Sequence, residues 1–350
     1  MTAGDRGPAR GDAVFEADRP YPAEMYSVVV PTIGRRCLDD CLRALAAAAD
    51  PPPHEVLLVD DRPDPSVPLD VSGAGPLAGR VRVLATHGRG PAAARNAGLR
   101  EVAAPWVVFL DDDVRVRPDW GARLAEDLAG AGPATVGVQG RLRVPLPDDR
   151  RPTDWERCTA GLEEAAWATA DMAYRTGTVR AAGGFDERFL RAFREDADLA
   201  LRMMAEGWCL VRGGRATLHP VRPADRWISV RTQRGNADDV LMRRLHGPDW
   251  WSRAEAPRGR LPAHAVTTAA GLAAVLLALA GRRRTAAVAA GLWALGTAEF
   301  AWARIAPGPR TAAEVTTMAA TSVVIPPLAV GHRIAGHLRH RRAAPWGGRS

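Results

Sequence analysis

Three short apolar runs, each ending in polar residues, limit what this chain can fold into. They are SVVVPT at residues 27–32, EVLLVDD at residues 55–61 and WVVFLDDD at residues 106–113. Apolar, largely β-branched runs of this length, closed by proline or acidic residues, are typical of buried strands. Stretches with helical spacing lie between them, so the sequence predicts a parallel sheet with right-handed crossover connections.

The segments around these runs complete an α/β pattern. Residues 36–49 and 91–102 have the apolar spacing of helices, and residues 81–85 predict a further short strand. Beyond residue 140 the pattern loosens, with a predicted strand at 169–174 and a predicted helix at 195–207. In sheets of this kind, ligands bind beyond the carboxyl ends of the strands.

The three strand ends carry side chains that parallel pairing would bring to one edge of the sheet. These are Pro31, Thr32, Asp60, Asp61, Asp111, Asp112 and Asp113. Acids gathered at one edge repel each other and usually need a cation. Asp111 and Asp113 alternate, so both could reach one Mg²⁺ or Mn²⁺ that keeps open positions for substrate phosphates. Helix caps and solvated turns are the alternative interpretation of such short acidic runs.

The overall composition restricts the available chemistry. The chain has 350 residues and a formal net charge of +7, and every basic residue other than histidine is arginine. A lysine Schiff base and a phosphate-loop lysine are therefore excluded, while the fixed fork of arginine suits phosphate. The four cysteines show no zinc-ligand spacing, which fits a reducing compartment.

Two further segments carry candidate functional residues. GRGPAAARNAG, residues 88–98, forms a turn before a helix with Arg95, which predicts either an anion site or an ordinary loop. GGFDERFLRAFREDADLALRMMAEGW, residues 183–208, places several acids at a helix start, where they could be dipole partners or include a catalytic base. His219 follows a strand-like segment and is a candidate third metal ligand.

Taken together, these motifs resemble the family 2 glycosyltransferases of the GT-A fold. The resemblance covers about residues 26–227 and consists of VVVPTIGR, LLVDD, GPAAARNAGL, VVFLDDDV, GGFDERF, REDADLALRM and the late His219, in that order. It implies a Rossmann-like mixed, mostly parallel sheet flanked by helices and followed by a C-terminal helical, membrane-associated region. The partners it implies are a nucleotide-diphosphate sugar and a hydroxyl acceptor on a lipid, an envelope glycan or a small molecule, with no nucleic acid.

The resemblance also assigns the donor and metal residues. Pro31, Thr32 and Asp61 would line the nucleoside pocket, and Arg95 would face the nucleotide. Asp111 and Asp113 match the DxD motif and would hold the diphosphate through Mg²⁺ or Mn²⁺. The remaining assignments are Asp112 in the nucleotide-sugar site and His219 as a metal ligand.

By the same resemblance, Asp196 would deprotonate the acceptor hydroxyl in an inverting transfer of one sugar. It is preferred to Glu195, Asp198 and Asp171 because it is the second acid of the ED pair at the helix start. Asp171 stands where the family often has asparagine, and no QxxRW-like motif of processive synthases is present. A sugar-phosphate nucleotidyltransferase and a non-catalytic, membrane-bound nucleotide-sugar binder are the alternatives.

The chain is predicted to have five parts. Residues 1–24 form a polar, disordered leader without a signal peptide, and residues 25–253 form the catalytic domain. Its halves, 25–140 and 141–253, bind the nucleotide sugar and the acceptor. The last three parts are a linker at 254–262, a hydrophobic helical region at 263–340 and a tail at 341–350.

Three apolar stretches in the helical region predict attachment to a membrane, with the catalytic domain in the cytoplasm. Residues 265–280, 285–303 and 315–331 are each near the lower limit of about 17 residues for a span. A soluble helical hairpin is the alternative. The arginines at 282–284 lie between the first two stretches, and positive loops prefer the cytoplasm. With a cytoplasmic catalytic domain, one crossing by the first stretch would place this loop outside. A re-entrant or interfacial first hairpin would avoid that conflict.

Overall fold

A computed structural model describes residues 25–347 of the chain. The predicted leader, residues 1–24, and the last three residues of the predicted tail lie outside the described residues. The core of the described chain is one eight-stranded sheet, with strand order β3-β2-β1-β4-β7-β6-β8-β5. The strands are β1 Tyr26–Thr32, β2 Val56–Asp60, β3 Val81–Ala85, β4 Trp106–Leu110, β5 Arg115–Val116, β6 Thr135–Arg143, β7 Asp171–Arg175 and β8 Cys209–Leu218.

The first four strands form the parallel half of the sheet. β1 pairs in parallel with both β2 and β4, and β2 pairs in parallel with β3. The carboxyl ends of β1, β2 and β4 therefore lie side by side, as the sequence predicts. Alternate residues of β1 enter different cores, since Val28 and Val30 pack on one face and Val29 on the other.

The other half of the sheet is mixed. β7 runs antiparallel to β4 and β6, β8 runs parallel to β6, and the short β5 runs antiparallel to β8. The predicted mixed, mostly parallel sheet is confirmed. The β5–β8 pairing sets Arg115 opposite Leu218. Because β5 follows the acidic residues 111–113 and His219 follows β8, this pairing brings these acids close to His219.

Nine α-helices of the described chain accompany the sheet and cover both of its faces. Residues of α1 and α3 pack on one face, and residues of α2 and α6 on the other. The helices are α1 Cys37–Ala48, α2 Pro91–Glu101, α3 Trp120–Ala129, α4 Asp154–Ala160, α5 Thr176–Ala181, α6 Glu195–Ala205, α7 Ile228–Arg231, α8 Gly235–His246 and α9 Trp250–Arg253. The predicted helices at 36–49, 91–102 and 195–207 correspond to α1, α2 and α6.

Helix α2 approaches the sheet unusually closely at Gly98. A Cβ atom there would lie 2.5 Å from Cγ1 of Val29 and 3.2 Å from Cγ2 of Val59. Only a residue without a side chain allows this approach, because real Cβ contacts are longer. The close contact matters for the site, since Arg95 lies about one turn earlier on the same helix.

The predicted apolar stretches form three long helices: α10 Leu261–Leu279, α11 Arg283–Ile305 and α12 Ala312–Arg339. All three are long and apolar enough to cross a membrane. Helices α10 and α11 form an antiparallel hairpin in which Gly271 meets Trp293 and Gly296 meets Thr267. Each helix is longer than the stretch predicted from the sequence, and α12 continues through Pro326 and Pro327.

Helix α12 touches the α/β domain near both of its ends. In its first turn, the Glu314 carboxylate accepts a hydrogen bond from the Asp154 amide at 2.8 Å. Near its other end, a Cβ atom added to Gly336 would lie 2.7 Å from the Cα of Ala237 in α8. The helix therefore lies along the surface of the domain.

A buried arginine joins the helical region to the α/β domain. Arg304, near the end of α11, donates to the Asp154 carboxylate at 2.8 Å, the Ser229 hydroxyl at 2.9 Å and the Thr321 hydroxyl at 2.8 Å. These partners belong to α4, α7 and α12. The position of α4 relative to the rest of the domain therefore depends on a residue of the apolar helical region.

We expect the close contact at Gly98 to make the stability of the protein sensitive to any side chain at this position. Gly98→Ala should lower the free energy of unfolding by about 1–3 kcal/mol, because the added methyl overpacks a filled core. The matched control is Gly177→Ala in α5, where an added Cβ meets nothing within 4 Å. That change should be neutral or stabilising by up to about 1 kcal/mol, because alanine favours helix. Chemical denaturation of both variants measures the difference, and equal stabilities would contradict the packing argument.

Candidate active site

A cavity of about 450 Å³ opens at the carboxyl ends of β1, β2 and β4. Helix α4 and the segment after β8 form the opposite wall. The cavity is lined by every site residue predicted from the sequence except Asp196, namely Pro31, Thr32, Asp61, Arg95, Asp111, Asp112, Asp113 and His219. The sheet thus brings together residues that lie up to about 190 positions apart in the chain.

Asp111, Asp113 and His219 form a group able to hold a metal ion. Each offers one ligand atom, and these atoms all lie within 4.8 Å of one another. His219 Nε2 is 3.7 Å from Asp113 Oδ1, and the buried Nδ1 of His219 has no partner within residues 25–347. Burial and the charges of Asp111 and Asp112 raise the pKa of Asp113, against the influence of His219 and Arg222. A bound cation would relieve that repulsion, so the residues fit Mg²⁺ or Mn²⁺.

The middle aspartate of the triplet faces a different set of partners. Asp112 is buried and accepts hydrogen bonds from the Thr32 hydroxyl at 2.6 Å and from Arg35 at 2.8 Å. It therefore ties the end of β4 to the end of β1. The turn that follows β4 thus directs Asp112 toward β1, and Asp111 and Asp113 toward His219.

Asp61 supports the loop that leads into α2. Its Oδ1 accepts from the Thr86 hydroxyl at 2.7 Å and the Arg89 amide at 2.8 Å, and its Oδ2 accepts from the Gly90 amide at 2.9 Å. The carboxylate lines the cavity, but both oxygens already accept hydrogen bonds from the protein. Asp61 thus shapes the nucleoside end of the predicted site through this loop.

Arg95 lies almost fully buried beneath the cavity, between two acids. It donates to Asp111 at 2.8 Å and to Glu195 at 2.6 Å. A buried guanidinium needs such partners, because an unpaired charge away from water is very costly. The sequence predicts that Arg95 faces the nucleotide. The structure places it at the cavity wall, where it holds Asp111, one of the three residues of the metal group.

The acids at the start of α6 differ in their surroundings. Glu195 pairs with Arg95, and the fully buried Asp198 pairs with Arg202 at 3.0 Å and His246 at 2.7 Å. Asp196 is partly exposed and forms no ion pair within the described chain; its carboxylate accepts only from the Ala197 amide, at 2.7 Å. Burial raises the pKa of Asp196, although Arg95 and Arg194 oppose the rise. Of these three acids, Asp196 is the one that has exposed surface and no ion pair within the described residues.

Asp171, the other acid considered as a base, belongs to the core. It is completely buried and accepts from Trp120 at 2.9 Å, Arg215 at 2.8 Å and Thr217 at 2.6 Å. These bonds tie β7 to β8 and α3. With its oxygens engaged in this way and no exposed surface, Asp171 does not reach the cavity.

Two arginines of the cavity are not singled out by the sequence analysis. Arg222 binds Asp113 at 2.8 Å and Arg35 binds Asp112 at 2.8 Å, and both side chains are about two fifths exposed. Arg222 comes three residues after His219, and Arg35 three residues after Thr32. That proximity to the predicted site residues is the signal that could have found them. Arg95 and Arg191 also line the cavity, so the described chain contributes four arginines to it.

The chain is similar to known proteins over this region. The family model described as Glycosyl transferase family 2 matches residues 27–186. The pre-mycofactocin glycosyltransferase of Mycobacterium tuberculosis is 33% identical over 137 residues, which cover 35% of this chain and 28% of that protein. The succinoglycan biosynthesis protein ExoO of Rhizobium meliloti is 39% identical over 98 residues, 27% of this chain and 28% of that protein. The chain thus matches little more than a quarter of the length of these curated relatives.

The fold is similar to that of a solved structure over most of its length. The mannosyltransferase PcManGT from Pyrobaculum calidifontis, in complex with GDP-Man and Mn²⁺, superposes with a TM-score of 0.54 and 18% sequence identity. The match covers 90% of this chain and 88% of that chain. It confirms the predicted GT-A type of architecture.

We expect the metal group to bind Mn²⁺ in the absence of any other ligand. Asp113→Asn and His219→Ala should each weaken Mn²⁺ binding at least about tenfold, since even outer-shell changes at metal sites typically cost 10–100-fold. The paramagnetic resonance signal of free Mn²⁺ measures this affinity. The control is Asp119→Asn, which removes an exposed charge at the start of α3. Unchanged binding in both site variants would argue against the group.

Proposed function

We propose that this chain, whose residues 27–186 match the model of glycosyl transferase family 2, transfers one sugar from a nucleotide-diphosphate donor to an acceptor hydroxyl, with inversion. The observation that carries the proposal is the group Asp111, Asp113 and His219 at the wall of an arginine-lined cavity. Such a cavity suits a ligand with a diphosphate between a nucleoside and a sugar.

In this proposal, the donor lies along the strand ends. Pro31, Thr32 and Asp61 line the part of the cavity at β1 and β2, where the nucleoside would bind. Asp111, Asp113 and His219 would hold Mg²⁺ or Mn²⁺, which supplies charge stabilisation to the diphosphate when bound. The diphosphate would therefore sit at the end of β4.

The half-exposed arginines would bind the leaving group. Arg222 lies beside the metal group, held by Asp113, and Arg35 lies beside Asp112. A guanidinium can donate two parallel hydrogen bonds to phosphate oxygens, and such charge-assisted bonds are about twice as strong as neutral ones. Both side chains could thus stabilise the charge that develops on the departing nucleoside diphosphate.

Asp196 would act as the general base. Its carboxylate accepts the proton of the acceptor hydroxyl while the hydroxyl oxygen forms a bond to the anomeric carbon. The bond from that carbon to the diphosphate oxygen breaks on the opposite face, and the configuration inverts. A carboxylate that is partly exposed and free of ion pairs suits this role, and burial raises its pKa toward the range useful for a base.

We expect Asp196→Asn to separate chemistry from binding. Removing a general base costs about 10²–10⁴-fold in rate, so sugar transfer at saturating donor should fall by at least the lower figure. Donor affinity, measured by calorimetry with Mn²⁺, should stay nearly unchanged, whereas Asp113→Asn should impair both quantities.

The assay follows nucleoside diphosphate release across a panel of nucleotide sugars. Normal turnover in Asp196→Asn would show that another group is the base, with Glu195 the next candidate. Release of pyrophosphate in place of nucleoside diphosphate would instead indicate the nucleotidyltransferase alternative. Donor binding with no turnover in the unmodified protein would indicate the non-catalytic binder.

The helical region is proposed to attach the protein to the cytoplasmic side of a membrane without a crossing by α12. Glu314 and Gly336 both contact the α/β domain and lie about 33 Å apart along the helix, at 1.5 Å per residue. This is about the thickness of the bilayer core, so a crossing would draw the polar domain into lipid. The outward apolar side chains of α12, such as Val323 and Leu328, would instead lie in the interface.

The hairpin of α10 and α11 is proposed to lie in the same leaflet. Its exposed surface is apolar, with Leu272, Leu276 and Leu295 each more than half exposed. Arginines at 282–284 occupy its tip, and positive loops stay on the cytoplasmic side. An interfacial hairpin would place its apolar surface in lipid and keep its arginines on the cytoplasmic side.

We expect an epitope tag at Gly281, at the hairpin tip, to be cytoplasmic. The control is the same tag at Gly132, in the loop between α3 and β6; neither glycine has space restrictions in the folded chain. Antibody should reach both tags only after cells are permeabilised. Reaction of the Gly281 tag alone on intact cells would show that the hairpin crosses the membrane. Full recovery of untagged protein in the soluble fraction without detergent would contradict membrane attachment.

A further inference from the structure

A second cleft of about 610 Å³ lies beside the active-site cavity. The two share Arg35, Trp155 and Arg222 as lining residues, so they are adjoining parts of one groove. The second cleft lies between the start of α1 and the segment from Arg222 to α7. Of its lining residues, only the shared Arg35 and Arg222 have a role in the proposed function.

The second cleft is cationic. Four arginines of the described chain line it, together with the acids Asp40 and Asp225. Arg231 is paired with Asp225 at 2.7 Å, and Asp40 is paired with Arg115, which lies outside the lining. The lining arginines are Arg35, Arg36, Arg222 and Arg231.

Arg36 supplies charge that no protein group compensates. Its side chain is exposed and makes no hydrogen bond or ion pair with any residue between 25 and 347. Arg35 and Arg222 form ion pairs with Asp112 and Asp113, each at 2.8 Å, at the boundary with the first cavity. The unpaired guanidinium of Arg36 favours an anion in this cleft, and the partly exposed guanidinium groups of Arg35 and Arg222 could donate further hydrogen bonds to it. The planar fork of arginine favours phosphate in particular.

The same cleft has an apolar wall on the side of the helical region. Trp155 and Ile228 contribute to its lining, and α7, which carries Ile228, packs against α12. The adjacent Ser229 binds Arg304 of α11. The cleft is therefore next to the helices that the proposed function places at the membrane surface.

We propose that this second cleft binds the phosphate group of the acceptor, and that the acceptor is an amphiphile presented at the membrane surface. This inference rests on the proposed function, because it assigns the substrate class of the same reaction. The phosphate anchors the acceptor and undergoes no bond change. A hydroxyl elsewhere on the acceptor is the group that reaches the first cavity and reacts.

The test uses dodecyl phosphate, dodecanol and inorganic phosphate as probes of the full-length protein in neutral detergent. Calorimetry is done with a chelator and without donor, so the measurement does not require the metal group. Dodecyl phosphate should bind, and Arg36→Gln should raise its dissociation constant roughly tenfold, the effect of losing one charge-assisted hydrogen bond. The matched control is Arg43→Gln, an exposed arginine of α1 that lines neither cleft and should leave the affinity unchanged.

The three probes distinguish the sources of the anion. Tighter binding of dodecyl phosphate than of inorganic phosphate supports a lipid-borne phosphate, whereas equal binding supports a phosphate site but overturns the amphiphile. Binding of dodecyl phosphate no tighter than that of dodecanol overturns the proposal, as does an equal loss in Arg36→Gln and Arg43→Gln. Mn²⁺-dependent nucleoside diphosphate binding is measured in parallel on Arg36→Gln, and its retention separates failure of this proposal from failure of the proposed function.

Discussion

The buried guanidinium of Arg95 links the sheet, α2 and α6, and the candidate site depends on it. Its two carboxylate partners, Asp111 and Glu195, come from segments about 80 residues apart, and each bond is shorter than 3 Å. A charge in this position is tolerated only because both partners are present, since an uncompensated buried charge costs several kcal/mol. Arg95 therefore fixes the position of Asp111 within the metal group and the position of the start of α6. The contact of Gly98 with Val29 fixes the height of α2 above the sheet and so the position of Arg95.

A second buried arginine performs a comparable task for the opposite wall. Arg304 joins α11 to α4 and α7, and α4 contributes Trp155 to both clefts. The apolar helices are thus attached to the domain through a polar network at the wall of the site, in addition to their packing on α8. The orientation of the apolar helices and the shape of the groove therefore depend on the same contacts.

The distribution of arginine partners separates arginines whose charge the protein balances from those that are proposed to bind ligands. Arg95 and Arg215 are completely or almost completely buried and have two acidic partners each, so their charge is balanced by the protein. Arg222 has one acidic partner and is partly exposed, and Arg36 has none within the described residues. This sequence contains no lysine, so in the proposed function arginine serves both purposes, and burial together with pairing distinguishes the two groups.

The sequence by itself determined the parallel half of the sheet, the gathering of acids at its edge and the three apolar helices, because these depend on local periodicity and on the side chains at strand ends. It also indicated Asp111, Asp113 and His219, through their order in a family pattern. Only the tertiary structure decided that Asp112 bonds to Thr32, that Arg95 lies between two acids, and that Asp171 is sealed in the core while Asp196 stays accessible. It alone revealed the course of α12 along the domain. These features arise from pairings between segments far apart in the chain, such as β5 with β8, and hydrophobic periodicity specifies which residues are buried but not which distant segment covers them.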